Sequence, residues 1–283
     1  ALRSARNPTS IARNEWWKAA FPNHPYGRPV AGDEKTLTAI TRDDLVAYVR
    51  QNFARDNIAI GVVGDITAAE LKGLLDKTFG PLPAKSTGRP VSEVKPKLSG
   101  KVVVRKLDVP QSVVVFGHAG IRRQDKDFYA AYVLNHILGG GSFSSRLHNE
   151  VREKRGLAYS VYSYLWPLDH SGLFMGAVAT RNAESVKLIR DEWARMAKEG
   201  ATDAELTAAK RYITGSYALR FSSSKNIAEM LAALQAEGLP RDYFEQRNDY
   251  IQAVTSADIK RLAKRLLKAN SLTFVVVGDP AGL

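Results

Sequence analysis

A guanidinium and a phenol lie close together in the sequence, on either side of a glycine. Arg152 comes near the end of a helical segment, Tyr159 comes early in a strand-like segment, and Gly156 lies between them. Folding back across that glycine would bring the two side chains together. Both groups donate hydrogen bonds, and two donors aimed at one point suit a polarised carbonyl oxygen or a developing oxyanion. The alternative is a charge at the end of a helix beside a packed strand aromatic.

A run of glycines precedes this pair. Gly139, Gly140 and Gly141 are followed directly by Ser142. Consecutive glycines end a helix and let the backbone approach another chain or a ligand closely. The run therefore predicts either a sharp turn between two helices or a place where a ligand meets the main chain.

Other common catalytic arrangements are missing from the sequence. None of the five histidines, at positions 24, 118, 136, 148 and 170, has another within the three to five residues that place two zinc ligands on one helix face. His148 and Glu150 would diverge by about 200° on a helix. The sequence has no cysteine, no Gly-x-Ser-x-Gly and no Gly-x-x-x-x-Gly-Lys. The chain by itself is therefore not expected to perform metal-dependent or covalent catalysis.

The composition indicates a globular protein with a basic surface. Lysine and arginine number 41 against 29 aspartate and glutamate, a net charge of +12. The basic residues alternate with apolar stripes on helical segments, as in Lys260, Lys264 and Lys268, which predicts solvated helix faces rather than a nucleic-acid site. No apolar run reaches the roughly 20 residues of a membrane span. The absence of cysteine excludes disulfides and does not separate cytoplasm from periplasm. The expected compartment stays open between the two, with the periplasm slightly favoured.

An internal repeat sets the expected architecture. Residues 41–65 match residues 255–279 without a gap, at an offset of 214. In each copy a threonine caps a helix, an aspartate follows in its first turn, and an apolar strand ends in Val-Val-Gly-Asp. A segment rich in proline, glycine, serine and lysine separates the copies. The sequence predicts a remnant of a first domain at residues 1–83, a linker at 84–100 and a second domain at 101–283. By the same offset, about 110 residues of the first domain should precede Ala1.

The hydrophobic pattern of the second copy predicts hairpins separated by helices. Strands are expected at 102–106, 112–119, 157–165 and 173–180, followed by a returning final strand. Helices are expected at 127–138, 143–154, 184–198, 203–220 and 226–237, with a short helix after Pro240. The fold class is therefore α+β with a mainly antiparallel sheet.

Two stretches resemble the M16 family of zinc metallopeptidases, which includes pitrilysin, insulin-degrading enzyme and mitochondrial processing peptidase. They are SRLHNEVREKRGLAYSVYS, at residues 145–163, and FPNHPYGRPVAG, at residues 21–32. The resemblance covers nearly the whole chain. It implies two homologous LuxS/metallohydrolase-like domains in a half-shell, two half-shells around a chamber, and an extended peptide added to a sheet edge. It also implies a zinc held by an inverted His-x-x-Glu-His in the first domain, in a portion absent from this sequence.

The resemblance assigns roles to particular residues of the second domain. Arg152 and Tyr159 would be catalytic residues that contact the substrate backbone near the scissile carbonyl, while Gly139, Gly140, Gly141 and Ser142 would help to admit the peptide. The aligned helix reads Leu-Asn-His-Ile-Leu at residues 134–138 and lacks the Glu-His pair. No metal is therefore expected in this chain, and zinc would come from the missing portion or from a partner subunit.

The resulting prediction is the C-terminal part of a bacterial-type M16 peptidase subunit. It would not be catalytic alone but would form part of a zinc-dependent endopeptidase, as a homo- or heterodimer with another M16 subunit and with no nucleic acid. The alternative is a non-catalytic scaffold subunit of the same fold, because respiratory-complex core subunits share it. The aromatics Tyr162, Tyr164 and Trp166 could line a peptide groove but are better explained as core, as are Trp16 and Trp17.

Overall fold

The computed structural model describes residues 6–280 and residue 282, which form two compact units. One unit contains residues 6–34, 92–213 and the described residues from 249 onward; the other contains residues 35–91 and 214–248. These units do not follow the boundary expected at residues 84–100. The division into homologous copies concerns ancestry, so it stays a prediction. No helix in the described residues is both long and apolar enough to cross a bilayer.

A five-stranded sheet forms the centre of the first unit. Its strands are β1 (Val102–Arg105), β2 (Ser112–Ala119), β3 (Ala158–Leu168), β4 (Ser171–Thr180) and β5 (Thr273–Val277). Their order is β1-β5-β2-β4-β3, with β1 parallel to β5 and the other neighbours antiparallel. The prediction of an α+β fold with a mainly antiparallel sheet is confirmed. Strand β3 lies at one edge of this sheet, which is where the candidate site is found.

Helices cover both faces of the sheet. The helices of the described residues, in both units together, are α1 (Pro8–Ala20), α2 (Glu34–Thr38), α3 (Arg42–Asn52), α4 (Ala68–Phe79), α5 (Phe128–Asn135), α6 (Glu184–Glu199), α7 (Asp203–Gly215), α8 (Ser224–Ala236), α9 (Tyr243–Gln252) and α10 (Ser256–Leu266). On one face, Trp193 of α6 packs edge-on against Phe116 of β2, which stacks on Phe274 of β5. On the other face, the buried Trp16 of α1 donates from Nε1 to the Thr273 carbonyl at 3.1 Å. Burial on both faces makes this sheet a rigid support.

The two copies of the repeat share their helix caps but differ in packing. Thr41 with Asp44 and Thr255 with Asp258 both form complete capping boxes. In α10 the apolar stripe is buried, and Ile259 is 0% exposed; its counterpart in α3, Leu45, is 58% exposed. Residues 58–63, expected to form a strand like β5, pair with no strand in the described part of the chain. That expectation was wrong, because a strand requires a hydrogen-bonded neighbour as well as an apolar pattern.

Helices pack on segments from the other side of the expected linker, which explains the unexpected unit boundaries. In the first unit, α1 lies on β5. In the second unit, α8 covers residues 58–63: Gln235 Nε2 donates to the Ile60 carbonyl at 2.8 Å, and a Cβ on Gly61 would lie 2.0 Å from the Ala228 carbonyl oxygen. At the offset of 214, α8 is the counterpart of α1, and β5 is the counterpart of residues 58–63. In each unit, the covering helix and the apolar segment that it covers therefore come from opposite sides of the expected linker.

Three predicted helices end in irregular turns. The helix expected at 127–138 continues from α5 into a π-helical turn at His136–Gly140. The helix expected at 143–154 is a 3-10 turn at Ser142–Ser144 followed by a π-helical turn at His148–Glu153. The helix expected at 203–220 is α7, which is followed directly by a 3-10 turn at Ser216–Phe221. Glycines lie in or beside the changes of winding at His136–Gly140, at Ser142–Ser144 and at the end of α7, which is consistent with their low helix propensity.

A buried histidine links β2 to α6. Trp193 Nε1 donates to His118 Nε2 at 2.8 Å, and His118 Nδ1 donates to the Ala119 carbonyl at 2.6 Å. Burial disfavours the charged imidazolium and lowers the pKa of His118 from 6.5 to about 4. The folded protein therefore holds this ring neutral at pH values where the unfolded chain binds a proton.

The buried imidazole makes stability depend on pH. Because the pKa is lower in the folded state, the contribution of His118 is fully present above pH 6.5 and is lost as the pH falls from 6.5 towards 4. Between pH 7 and pH 5 this linkage should remove about 2 kcal/mol from the free energy of unfolding. Urea unfolding at the two pH values should show that loss in the wild type and a correspondingly smaller loss in His118→Gln. Equal losses in both proteins would contradict the account.

Candidate functional site

The site begins where a left-handed glycine reverses the chain. Gly156 has a φ of +60°, its amide donates to the Arg152 carbonyl at 2.8 Å, and the Leu157 amide donates to the Val151 carbonyl at 3.0 Å. The bond from Gly156 to Arg152 is that of the αL motif, in which a left-handed glycine ends a helix. A Cβ on Gly156 would meet nothing within 4 Å, so backbone conformation rather than lack of space favours glycine here. The reversal sends β3 back past the helical turn that carries Arg152.

The reversal places Arg152 and Tyr159 in contact. The Cζ of Arg152 lies over the Tyr159 ring, 4.8 Å from its centroid. The guanidinium faces the electron-rich ring rather than the phenol oxygen, an arrangement stabilised by cation–π attraction. The expected proximity is found, but the two donors are stacked and do not converge on a point in this state. Tyr159 is 76% exposed and its hydroxyl has no hydrogen-bond partner within the described residues.

An irregularity in β3 turns Tyr159 outward. Ala158 pairs with Thr180 and Val161 pairs with Val178, so two residues of β3 oppose the single Ala179 of β4. Such a bulge breaks the alternation of side chains and re-aims them. Because β3 is the edge strand in the described sheet, the backbone beside Tyr159 is not covered by a further strand. The uncovered edge of β3 therefore lies beside the phenol of Tyr159 and the guanidinium of Arg152.

A histidine and a phenylalanine support the guanidinium. Arg152 Nη1 lies 3.1 Å from Nε2 of the buried His148, and its Cζ lies 5.3 Å from the centroid of Phe143. The rings of Phe143 and His148 meet edge to face at 4.8 Å. These contacts were not predicted, although the spacing of four between His148 and Arg152 places them on one helix face and could have suggested the pair. The contacts limit the positions that the guanidinium can take.

Nearby carboxylates leave Arg152 without a close ion pair. Glu150 receives hydrogen bonds from Lys154 at 2.7 Å and from Arg155 at 2.8 Å. The Lys154 hydrogen bond is the main reason that the pKa of Glu150 is lowered. Glu153 approaches Arg152 Nε only to 3.8 Å. The positive charge of Arg152 is therefore available to an incoming acceptor.

The glycine run packs mainly against its own chain. A Cβ on Gly139 would lie 2.4 Å from Ser163 Oγ and 2.8 Å from the Ser163 amide nitrogen of β3, and a Cβ on Gly140 would lie 2.5 Å from Asn135 Nδ2. Gly141 donates to the His136 carbonyl at 2.8 Å, and Ser142 has a φ of +49°. The first glycine therefore allows close packing on the sheet. Whether Gly139, Gly140, Gly141 and Ser142 bind substrate stays a prediction.

A groove of about 420 Å³ adjoins the glycine run. His136, Ile137 and Ser144 form one wall, and small residues of α7 together with Tyr212 form the other. The Tyr212 ring stacks on His136 at 5.2 Å. Glu205 reaches this groove with its carboxylate already bound by Arg146, at 2.6 and 2.7 Å. Burial would raise the pKa of Glu205, but hydrogen bonds from Arg146 and Thr202 outweigh burial and hold it at about 2.

The described residues do not fit a zinc ion. Residues 6–280 and 282 contain no group of three His, Cys, Asp or Glu side chains able to hold a metal. His136, at the position where the resemblance would place a ligand helix, stacks on Tyr212, and the carboxylate of Glu205 beside it is engaged by Arg146. No reaction step can be assigned to a metal held by these side chains.

The other aromatics named from the sequence pack on the opposite side of the sheet from the main core. Tyr162 stacks on Tyr164, and Trp166 meets Trp17 of α1 edge to face at 5.0 Å. Trp16 is fully buried, whereas Trp17 and Trp166 are half-buried. These side chains are thus only partly core.

Comparison with known proteins gives consistent matches. Residues 39–213 match a family model described as the Peptidase M16 inactive domain. An uncharacterised zinc protease of Bacillus subtilis is 33% identical over 77% of this chain and 53% of its own length. A probable mitochondrial-processing peptidase subunit beta of Schizosaccharomyces pombe is 29% identical over 93% of this chain and 61% of its own length.

Solved structures agree with these matches. A peptidase M16 inactive domain from Pseudomonas fluorescens has a TM-score of 0.87 and 30% identity, over 99% of this chain and 67% of that one. The chain spans between half and two thirds of the length of the curated relatives described above.

The left-handed turn at Gly156 can be tested by substitution. Alanine at a φ of +60° should destabilise the fold by about 1–2 kcal/mol, and asparagine, which tolerates this region better, should cost less. Gly73→Ala is the matched control, because that glycine lies in α4 with open space around it and alanine favours a helix. Urea unfolding should rank Gly156→Ala below Gly156→Asn and both below Gly73→Ala. A Gly156→Ala protein as stable as the wild type would contradict the proposed constraint.

Proposed function

The chain belongs to the M16 peptidase family and carries its inactive-type domain, and from this premise we propose that it binds extended peptides and completes a zinc peptidase site held elsewhere. Zinc would be supplied by another part of the protein or by a partner M16 subunit. The observation that carries the proposal is the guanidinium of Arg152 held over the exposed Tyr159 at a sheet edge. The chain acts by holding the substrate, not by providing the metal.

The two side chains offer hydrogen-bond donors to a peptide carbonyl. The Tyr159 hydroxyl has no partner among the described residues, and Arg152 is bonded through Nη1 to His148, which leaves Nη2 for an acceptor. A carbonyl oxygen that gains negative charge during hydrolysis binds such donors more strongly than the ground-state carbonyl. The same contact therefore orients the peptide and stabilises the transition state.

The strand edge supplies the second element of peptide recognition. An extended peptide can add to an exposed edge through main-chain hydrogen bonds, which need no particular side chains. Strand β3 presents such an edge next to Tyr159, and the bulge at Tyr159 and Ser160 separates that residue from the regular part of the strand. A peptide paired along β3 would thus bring one of its carbonyls to the Arg152 and Tyr159 side chains.

The glycine run and its groove provide a surface for substrate side chains. Gly140 and Ser142 are exposed, and the groove beside them has small alanines on its α7 wall. A peptide side chain can occupy a groove of this size without displacing the protein backbone. We assign to Gly139, Gly140, Gly141 and Ser142 the role of shaping this entry surface.

Under this proposal, the zinc site that acts together with this chain lies elsewhere. Zinc, when bound at the complementary site, supplies an activated water. The residues of this chain bind and orient the scissile peptide and place donors at its carbonyl. We propose that a homo- or heterodimer of M16 subunits, or a further domain of the same polypeptide, brings the two sites together.

The proposal predicts a large effect from removing one hydroxyl. In the complete zinc-bearing peptidase that contains this chain, Tyr159→Phe should lower kcat/KM for an unstructured peptide by about 100-fold, because one oxyanion donor is lost. Arg152→Ala should lower it at least as much. Tyr48→Phe is the matched control, since it removes another exposed phenol hydroxyl, from α3. Thermal unfolding of each variant confirms that the fold is retained.

The same variants separate peptide processing from a scaffold role. A folded Tyr159→Phe protein and a folded Arg152→Ala protein that both support wild-type cleavage would exclude the proposed substrate contact. The chain would then be a structural subunit of the same fold. Loss of cleavage in both, with normal cleavage by Tyr48→Phe, supports peptide processing.

A further inference from the structure

A second cavity lies on the other side of the sheet from the main core, in the first unit. It encloses about 530 Å³ and is walled by α1, by the loop of residues 25–32 and by the end of β3. Its apolar walls include Trp17, Tyr26, Trp166 and Leu168. This volume lies in the range of sites that bind small molecules or single peptide side chains. The proposed peptide contact at Arg152 and Tyr159 does not use it.

The cavity is preformed by packing within the unit. The Trp17 ring meets Trp166 at 5.0 Å and Tyr26 at 6.4 Å, in both cases edge to face. The His170 amide donates to the Tyr26 hydroxyl at 3.2 Å. A Cβ on Gly27 would lie only 2.1 Å from the Phe21 carbonyl oxygen, so this loop lies directly against the end of α1. The aromatic walls therefore keep their positions without a ligand.

The cavity carries positive charge and no lining carboxylate. Arg13 of α1 and Arg28 of the loop both line it, together with neutral side chains. Both arginines are exposed, and neither forms an ion pair within the residues that the structure describes. Elsewhere in this chain, arginines at the surface commonly meet an acid, as Arg122 meets Glu93 at 2.8 Å. Two unpaired guanidinia beside an aromatic pocket are complementary to an apolar group that carries carboxylates.

We propose that this cavity is a second peptide-binding site, which holds an aromatic side chain flanked by acidic residues. The choice of a peptide as the occupant rests on the function proposed above. The aromatic ring would lie in the cavity against Trp17 and Trp166, and the carboxylates would pair with Arg13 and Arg28. Trp166 lies on β3 seven residues after Tyr159, roughly 23 Å along the strand. The cavity thus favours substrates with an acidic aromatic segment at some distance from the cleaved bond.

The four tryptophans allow the site to be observed directly. Trp16 and Trp193 are fully buried, whereas Trp17 and Trp166 are partly exposed and line the cavity. Acrylamide quenching of tryptophan fluorescence therefore reports mainly on the cavity. The probe is acetyl-Gly-Gly-Phe-Asp-Glu-Gly-amide, compared with a peptide in which Asn-Gln replaces Asp-Glu and with one in which alanine replaces phenylalanine.

The acidic aromatic peptide should bind and protect Trp17 and Trp166 from acrylamide. Both control peptides should bind at least about tenfold more weakly, since each lacks either the charged hydrogen bonds or the ring burial. The double variant Arg13→Gln with Arg28→Gln should weaken binding of the acidic peptide by a similar factor. The matched double variant Arg42→Gln with Arg89→Gln removes two exposed charges from the second unit and should bind like the wild type.

The outcomes separate this site from the proposed function. Equal affinity for the acidic and neutral peptides, unchanged affinity in the Arg13 and Arg28 double variant, or no protection from acrylamide would overturn the second site. If Tyr159→Phe still lowers cleavage in that case, the proposed function stands alone. If the acidic peptide binds as expected while Arg152→Ala and Tyr159→Phe cleave normally, the second site stands and the catalytic contact is overturned.

Discussion

The left-handed turn at Gly156 is the constraint on which the candidate site depends. A helical turn carrying Arg152 ends at this glycine, and the chain returns at once as the edge strand that carries Tyr159. Only a residue without a Cβ adopts this backbone without strain. The stacking of guanidinium on phenol then follows from chain geometry. His148 and Phe143 contact the guanidinium and limit its positions, so the stacked pair of Arg152 and Tyr159 is held in place before a peptide arrives.

The sheet provides the rigidity that a binding edge requires. Strand β5 is buried along its whole length, because α1 covers one face of the sheet and the core that includes α6 and α10 covers the other. The packing of α1 on β5 and of α8 on residues 58–63 joins distant parts of the sequence within each compact unit. The Trp16 hydrogen bond to Thr273, across 257 residues, is one such link. A peptide that pairs with β3 would therefore add to a fixed edge. The same helix α1 that supports the sheet also forms the wall of the second cavity.

Local patterns predicted more of the fold than non-local ones. The threonine caps at Thr41 and Thr255 form as their spacing predicts, because every atom involved lies within four residues. β2 has the bounds expected from its apolar run. The segment at 58–63 carries the same pattern and forms no strand, because its partner depends on the rest of the fold. The packing of α1 and α8 could not be predicted, since each helix contacts a sequence-distant segment.

The sequence predicted which residues form the site better than it predicted how those residues are arranged. The proximity of Arg152 and Tyr159 follows from the glycine between them, but the bulge at Tyr159 depends on pairing with β4. The π-helical turns at 136–140 and 148–153 depend on hydrogen bonds one residue longer than those of an α-helix, and no composition rule marks them. The glycine run predicted an unusual backbone, but it did not predict that Gly139 would pack against Ser163.

A double-mutant cycle on peptide affinity tests most directly whether Arg152 and Tyr159 act as one unit. The dissociation constant of a fluorescein-labelled unstructured peptide would be measured by polarisation for the wild type, Arg152→Ala, Tyr159→Leu and the double variant. A shared acceptor predicts that the double variant loses less binding free energy than the two single losses together, with a coupling above about 0.5 kcal/mol. Additive losses, or single variants that bind as tightly as the wild type, would contradict a joint role.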